Sequence, residues 1–127
     1  MTPARLTILV LDDNGPNLKY ARTVLESRGY AVVTVADARA AWRALADERP
    51  ALILIDLHIP GVDGLTFLRE LRAGAETRTI PAVMMTAYDL PGAAQHAMDA
   101  GAQAYVIKPV TIATFISVVI EHAREPT

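Results

Sequence analysis

Five chemically capable side chains each stand at the end of a short apolar run: Asp12, Asp13, Asp56, Thr86 and Lys108. Three carboxylates brought within about 4–5 Å of one another repel by roughly 4 kcal/mol per pair at an effective dielectric near 20, and a cation offsets that repulsion. Oxygen ligands select a hard cation, and Mg²⁺ suits a site with few protein ligands and room for a phosphate oxygen. The residue types therefore predict a magnesium site, provided that the fold brings them together.

Phosphoryl transfer is the chemistry that this set of side chains suits. Asp56 is the best placed nucleophile, because it ends a run expected to be a central strand, while Asp12 and Asp13 end a neighbouring run and can hold the metal. Its attack on phosphorus would give an aspartyl phosphate. Mg²⁺ and Lys108 would neutralise the phosphoryl oxygens, and the Thr86 hydroxyl would donate to one of them. Each residue alone has an ordinary explanation as a turn, cap or surface residue, so the prediction depends on their convergence.

The elements that must position these residues are five apolar runs that alternate with helical patterns. Four of the runs are nearly continuous in apolar character, which is typical of parallel strands covered on both faces. Capping residues and glycines mark the starts and ends of the helices between them. The predicted strands cover 6–11, 30–35, 51–55, 80–85 and 104–107. The predicted helices begin near Asn14, Asp37, Leu65, Pro91 and Thr111, and the first four end near Gly29, Pro50, Gly74 and Gly101.

Five βα units predict an α/β fold, a doubly wound (βα)5 parallel sheet with right-handed crossovers and helices on both faces. In such open sheets, ligands bind outside the carboxyl ends of the strands. Four of the predicted strands end in a residue of the proposed site, whereas the second ends in Ala36 and Asp37. The topology therefore predicts that the five side chains meet at the carboxyl ends of the strands.

Composition limits the classes of protein to which the chain can belong. Its 127 residues predict one domain over 1–127, with no separate effector domain. The apolar runs are far shorter than the roughly 18 residues of a membrane span, and no secretory signal or cysteine is present, so we expect a cytoplasmic protein that does not bind membranes. A net charge of −2 without a basic cluster argues against nucleic acid as a partner.

Four motifs, ILVLDDN, LILIDLHIPGVDG, VMMTA and GAQAYVIKP, carry a resemblance that covers the whole chain. In this order and spacing they resemble the response-regulator receiver domain, the phosphoacceptor module of two-component signalling. The resemblance implies a flavodoxin-like five-stranded sheet with strand order 2-1-3-4-5. It also implies that Asp56 receives phosphate from a histidine kinase or a histidine phosphotransfer protein. Asp12, Asp13, Asp56 and the backbone carbonyl of His58 would serve Mg²⁺.

The resemblance further implies roles for residues around this site. Tyr105 is similar to the aromatic residue that turns inward when Thr86 engages the phosphoryl group, and the bond between Lys108 and Pro109 resembles one that is cis in the family. His58 and Tyr88 occupy positions that vary in the family and influence the lifetime of the phosphoryl group. We expect both side chains to shield it and to slow its hydrolysis.

The signal would pass to a downstream protein, or to a second copy of the chain, through the fourth helix, the fifth strand and the fifth helix. A stand-alone regulator similar to the single-domain chemotaxis and cell-cycle types is the leading interpretation, and a receiver excised from a hybrid kinase or larger regulator is the alternative. A hydrolase of the haloacid dehalogenase type is a third hypothesis, but it needs an acid where His58 stands and a cap insertion. A phosphorylation-independent adaptor is a fourth. In the leading interpretation the chain catalyses only its own phosphorylation and dephosphorylation.

Overall fold

The computed structural model describes residues 5–57, 59, 63–87 and 90–125, and within them five strands alternate with five helices. This alternation confirms the predicted (βα)5 pattern. The elements are β1 (Thr7–Leu11), α1 (Gly15–Glu26), β2 (Ala31–Val35), α2 (Ala38–Asp47), β3 (Leu52–Ile55), α3 (Gly64–Ala73), β4 (Ala82–Thr86), α4 (Ala93–Asp99), β5 (Ala104–Ile107) and α5 (Ile112–His122).

The sheet is parallel throughout and has the strand order β2-β1-β3-β4-β5, which confirms the predicted fold class and order. Every residue of β1, β3 and β4 is buried, because these strands lie in the middle of the sheet and are covered on both faces. The edge strands β2 and β5 are only partly buried. The order reverses between β1 and β3, so the carboxyl ends of these two strands form the switch point where ligands bind in such sheets.

Alternate residues of each strand enter two separate hydrophobic cores, one on each face of the sheet. The α2/α3/α4 core contains Leu9, Leu11, Ile53, Ile55 and Met84 from the strands, packed against the helices for which it is named. The α1/α5 core contains Ile8, Val10, Leu54, Val83 and Met85 from the strands, packed against α1 and α5. Within the described residues, no helix combines the length and the apolarity needed to cross a bilayer.

Side-chain caps begin the helices where the sequence predicts them. The Asn14 side chain accepts a hydrogen bond from the backbone N–H of Asn17, and Asp37 and Thr111 cap α2 and α5 in the same way. At α3 the cap is Asp63, two residues before the start near Leu65 that the apolar pattern suggests. These bonds satisfy N–H groups that have no partner within the helix.

Two predicted boundaries are wrong, both near the fourth strand. β4 begins at Ala82 rather than at residue 80, because Ile80 donates its N–H to Thr77 in the preceding loop and Pro81 has no N–H to offer. α4 covers Ala93–Asp99 rather than 91–100, because Gly92 has the left-handed φ of 77° and does not continue a helix. β4 also extends to Thr86, which it therefore holds as a strand residue.

Candidate functional site

The acidic residues lie at the carboxyl ends of the two central strands where the strand order reverses. Leu11 of β1 and Ile55 of β3 are paired in register, and the backbone N–H of Asp56 donates to the carbonyl of Leu11 at 2.9 Å. Asp12 and Asp56 therefore leave the sheet side by side. One carboxylate oxygen from each of Asp12, Asp13 and Asp56 lies within 4.8 Å of the others. The structure thus brings together the three carboxylates that the sequence proposes.

Lys108 reaches this cluster from the loop that follows β5. Its Nζ lies 2.7 Å from Oδ2 of Asp12 and 3.3 Å from Oδ2 of Asp56, and it is partly shielded from solvent. Its backbone N–H donates to the carbonyl of Thr86 at 2.8 Å, which ties the lysine to the end of β4. The bond between Lys108 and Pro109 is cis, as the resemblance implies. One ammonium group therefore bridges two of the three carboxylates.

The Asp12 carboxylate is buried and held by several donors. Its Oδ1 accepts the backbone N–H of Asn14 at 2.9 Å, and its Oδ2 accepts the Asn17 amide at 3.2 Å in addition to Lys108. Sequence reasoning missed the role of Asn17. The available signal was its place in the first turn of α1, where side chains point back toward the helix start and hence toward Asp12. Asp13 is exposed and Asp56 is half-buried, so these two carboxylates face solvent more than Asp12 does.

The charges of the cluster fit a divalent cation. Three carboxylates and one ammonium leave a formal net charge of −2, from −3 and +1. All of the acidic ligands are oxygen atoms, which favour hard cations such as Mg²⁺ over soft ones. The donor set therefore suits magnesium, with Asp13 and Asp56 as the more accessible ligands and Asp12 as a carboxylate already fixed by its neighbours.

Thr86 and Tyr105 lie on the face of the sheet that packs against α2, α3 and α4, which is opposite to the face that packs against α1 and α5. Thr86 is fully buried and continues the alternation of Ala82 and Met84, whose side chains enter the α2/α3/α4 core. Tyr105 is half-buried, is paired in register with Met84 and packs against the same core. His58 and Tyr88 lie outside the described residues, so the structure places the proposed switch pair but not the proposed lifetime residues.

A cleft of about 300 Å³ gives access to the cluster. Asp12, Asn17, Asp56 and Lys108 form its polar side. Its apolar side includes Val10, Leu54, Met85 and Phe115 of the α1/α5 core, and Tyr20, whose ring lies beside that of Phe115. Since Asp56 lines this cleft, its carboxylate is reachable from outside the protein.

The start of α3 lies directly against the backbone of the proposed nucleophile. The N–H of Gly64 donates to the carbonyl of Leu57 at 2.8 Å. A Cβ at Gly64 would overlap the carbonyl oxygen of Asp56 and would lie 3.0 Å from Cα of Leu57. The structure therefore requires glycine at position 64, because two backbones approach closely there.

Comparison with known proteins agrees with this geometry. The family model described as the response regulator receiver domain matches residues 8–120. The chain belongs to this family. A polar-differentiation response regulator, DivK of Brucella anthropi, is 30% identical over 113 residues, which cover 89% of this chain and 92% of DivK.

Two solved structures relate the receiver fold of this chain to proteins of known context. Chemotaxis protein CheY4 of Vibrio cholerae superimposes with a TM-score of 0.88 at 25% identity, over 94% of this chain and 99% of CheY4. The receiver domain of a sensor histidine kinase from Pseudomonas aeruginosa has a TM-score of 0.84 at 33% identity, over 94% of this chain and 98% of that domain. In that receiver a magnesium ion is coordinated in the active site cleft. The chain is therefore a receiver domain of two-component systems.

Proposed function

We propose that Asp56 accepts a phosphoryl group from a phosphohistidine on a histidine kinase or a phosphotransfer protein, with Mg²⁺ bound beside it. The observation that carries this proposal is the cluster of Asp12, Asp13 and Asp56 within 4.8 Å, bridged by the ammonium of Lys108. A nucleophilic carboxylate beside two other carboxylates and a cation is the arrangement that phosphoryl transfer to an acid requires.

In the transfer step, a carboxylate oxygen of Asp56 attacks phosphorus and forms a P–O bond while the P–N bond to the donor imidazole breaks. The departing imidazole takes up a proton and leaves as a neutral ring. Lys108 already contacts Oδ2 of Asp56 at 3.3 Å, so its ammonium is placed to neutralise a phosphoryl oxygen with little movement. Asp12 holds the other side of that ammonium and keeps it at the site.

Asp13 and Asp56 are the side chains that we propose as direct Mg²⁺ ligands, and the backbone carbonyl of His58 is a further ligand proposed from the resemblance alone. Bound Mg²⁺ supplies positive charge that offsets the negative charge of the transferred phosphoryl group. The buried Asp12 completes the negative field, and the donors from Asn14 and Asn17 keep it in position.

We propose that the output surface consists of α4, β5 and α5. Thr86 ends β4 immediately before the segment that leads to α4. On β5, Ile107 is paired in register with Thr86, and Tyr105 is paired with Met84 two residues before it, so β5 lies directly beside the switch residue. Several large apolar side chains on or beside these elements are exposed, which is typical of a surface that binds a downstream protein or a second copy of the chain. They are Leu90, Met98, Ile107, Ile112 and Ile120.

The family and the fold favour this function over hydrolysis of a separate substrate. A hydrolase of the haloacid dehalogenase type needs a second acid two residues after the nucleophile, where this chain has His58. The relatives include a response regulator of similar length and a receiver from a sensor kinase, and the proposed chemistry is the same in both settings. We infer that the chain catalyses only the gain and loss of its own phosphoryl group.

Labelling with acetyl phosphate and Mg²⁺ tests the proposal. The wild-type protein should gain one acid-labile phosphoryl group per chain, and EDTA should prevent it. Asp56→Asn should abolish the label, whereas Asp47→Asn, which neutralises an exposed carboxylate at the end of α2, should leave it unchanged. Undiminished labelling of Asp56→Asn contradicts the assignment of the nucleophile, and continuous release of phosphate by many turnovers would favour the hydrolase.

A further inference from the structure

Arg72, near the end of α3, joins three segments of the chain. They meet near the amino ends of β4 and β5, whereas Asp56 follows the carboxyl end of β3. Its Nε and Nη2 donate to the carbonyl of Gly101 at 3.0 and 2.8 Å, and its Nη1 donates to the carbonyl of Ile80 at 2.7 Å. Weaker bonds at 3.2 Å reach the carbonyl of Arg78 and the side chain of Gln103. These five residues form what we call the Arg72 clasp. All five N–H donors of the guanidinium are used in it.

The clasp consists of hydrogen bonds from the guanidinium, mostly to backbone carbonyls, and is not a surface ion pair. Among the described residues no carboxylate pairs with Arg72, and its partners are carbonyl and amide oxygens. Burial lowers the pKa of the guanidinium, although arginine remains charged near neutral pH. Gln103 extends the contact to the sheet, because its Oε1 also accepts the N–H of Ala82 at 2.7 Å. Arg72 therefore fastens the α4–β5 loop to the start of β4.

The contact between Arg72 and the backbone at position 101 requires glycine there. Its φ is 109°, which side chains rarely adopt, and a Cβ there would lie 2.7 Å from Nε of Arg72. Two hydrogen bonds close the end of α4 just before it, from Gly101 N–H to Met98 and from Ala102 N–H to Ala97. The C-terminal end of α4 is therefore held by its own backbone and by the clasp.

The N-terminal end of α4 has backbone hydrogen bonds, from the N–H of Ala93 to the carbonyl of Leu90 and from the N–H of His96 to that of Gly92, but among the described residues no side chain fastens it as Arg72 fastens the other end. Gly92 at its cap position makes no side-chain cap hydrogen bond, and the residues just before it are exposed. This is also the end that the chain reaches after leaving Thr86. The two ends of one short helix thus differ: one is fastened by the half-buried guanidinium of Arg72, and the other is connected to the switch residue.

We propose that the Arg72 clasp makes the C-terminal end of α4 a fixed pivot, so that the phosphorylation signal displaces only the N-terminal end. The pivot rests on the proposed function, since it describes how that signal changes the output surface. It predicts that Arg72 confines the conformational change to the N-terminal end of α4. The chemistry at Asp56 should not depend on Arg72, because the clasp lies at the amino ends of the strands and Asp56 lies at their carboxyl ends.

Amide hydrogen exchange measured with and without beryllofluoride and Mg²⁺ tests the pivot. The variant is Arg72→Met, which keeps the apolar stem and removes all the donors. The matched control is Arg49→Met, because Arg49 donates to Glu76 and Thr79 in the loop between α3 and β4 but not to the α4–β5 loop. Near-ultraviolet circular dichroism checks folding. If Arg72→Met does not fold, Arg72→Lys replaces it, since an ammonium cannot reproduce the planar fork.

Without ligand, exchange of the Gly101 and Ala102 amides should rise at least about tenfold in Arg72→Met and less than about twofold in Arg49→Met. With beryllofluoride, wild-type changes should appear at the Ala93 and His96 amides and not at Gly101, whereas in Arg72→Met they should spread to Gly101. Equal exchange in the two variants, or a wild-type response at both ends, overturns the pivot. A wild-type protein that neither labels at Asp56 nor responds to beryllofluoride overturns the proposed function itself, and the pivot with it.

Discussion

Replacing Asp13 with asparagine removes the most exposed charge of the acidic cluster, and its effect on stability follows from the distances. The other charged groups around it, Asp12, Asp56 and Lys108, sum to a formal charge of −1. One uncompensated pair at 4.8 Å repels by about 0.9 kcal/mol at the dielectric of water and by about 3.5 kcal/mol at an effective dielectric of ~20. Because Asp13 is exposed, the lower value applies.

We therefore expect Asp13→Asn to raise the free energy of unfolding of the metal-free protein by about 1 kcal/mol, or its melting temperature by roughly 2–6 °C. The same change removes a proposed Mg²⁺ ligand. At a Mg²⁺ concentration ten times the wild-type Kd, binding stabilises the wild-type protein by about 1.4 kcal/mol, and a tenfold weaker site gains only about 0.4 kcal/mol. The variant should thus be more stable without metal and respond less to it.

Thermal melts in EDTA and in a Mg²⁺ series measure both effects. Glu70→Gln, which neutralises an exposed carboxylate on α3, is the control and should change neither the metal-free stability nor the Mg²⁺ response by a comparable amount. A metal-free Asp13→Asn protein that is less stable than wild type would refute the electrostatic reasoning. A Mg²⁺ response of wild-type size would show that Asp13 is not a ligand.

Three further predictions concern the switch, the packing at the nucleophile and the lifetime of the label. Thr86→Ala should still be labelled by acetyl phosphate at Asp56, but the chemical shifts of α4, β5 and α5 should respond weakly to beryllofluoride; shifts that match wild type contradict the coupling. Gly64→Ala should lower the free energy of unfolding in urea by about 1–3 kcal/mol, because its Cβ overlaps the backbone of Asp56, whereas Gly15→Ala, with open space around it, should not destabilise. His58→Asn should lose its phosphoryl group faster than wild type if the histidine shields it, and slower loss that depends on pH would instead indicate a general base.

The sequence predicts most of the fold because the signals for it are local. Continuous apolar runs identify the buried strands, and Asn14, Asp37 and Thr111 identify helix starts through caps formed within three residues. Convergence of the acidic residues follows from the rule for parallel sheets rather than from any property of the aspartates themselves.

What the sequence does not predict depends on contacts between distant segments. Arg72 looks like an ordinary surface cation on an amphipathic helix, and only the folded chain brings the carbonyl of Gly101 to it across 29 positions. Asn17 is a local case, because its bond to Asp12 spans only five positions and depends on how α1 follows β1. The predicted α4 is longer than the observed one, because its alanines favour a helix, whereas Gly92 has a positive φ and the helix begins only at Ala93.

The two faces of the sheet carry different parts of the proposed site. Asp12, Asp56 and the cleft beside them continue the lining of the α1/α5 core, whereas Thr86 and Tyr105 belong to the lining of the α2/α3/α4 core. The central strands separate the packing of the cleft from the packing around Thr86 and Tyr105. A substitution of an apolar cleft residue such as Leu54 should therefore reshape the access to Asp56 without repacking the core that holds the proposed switch pair.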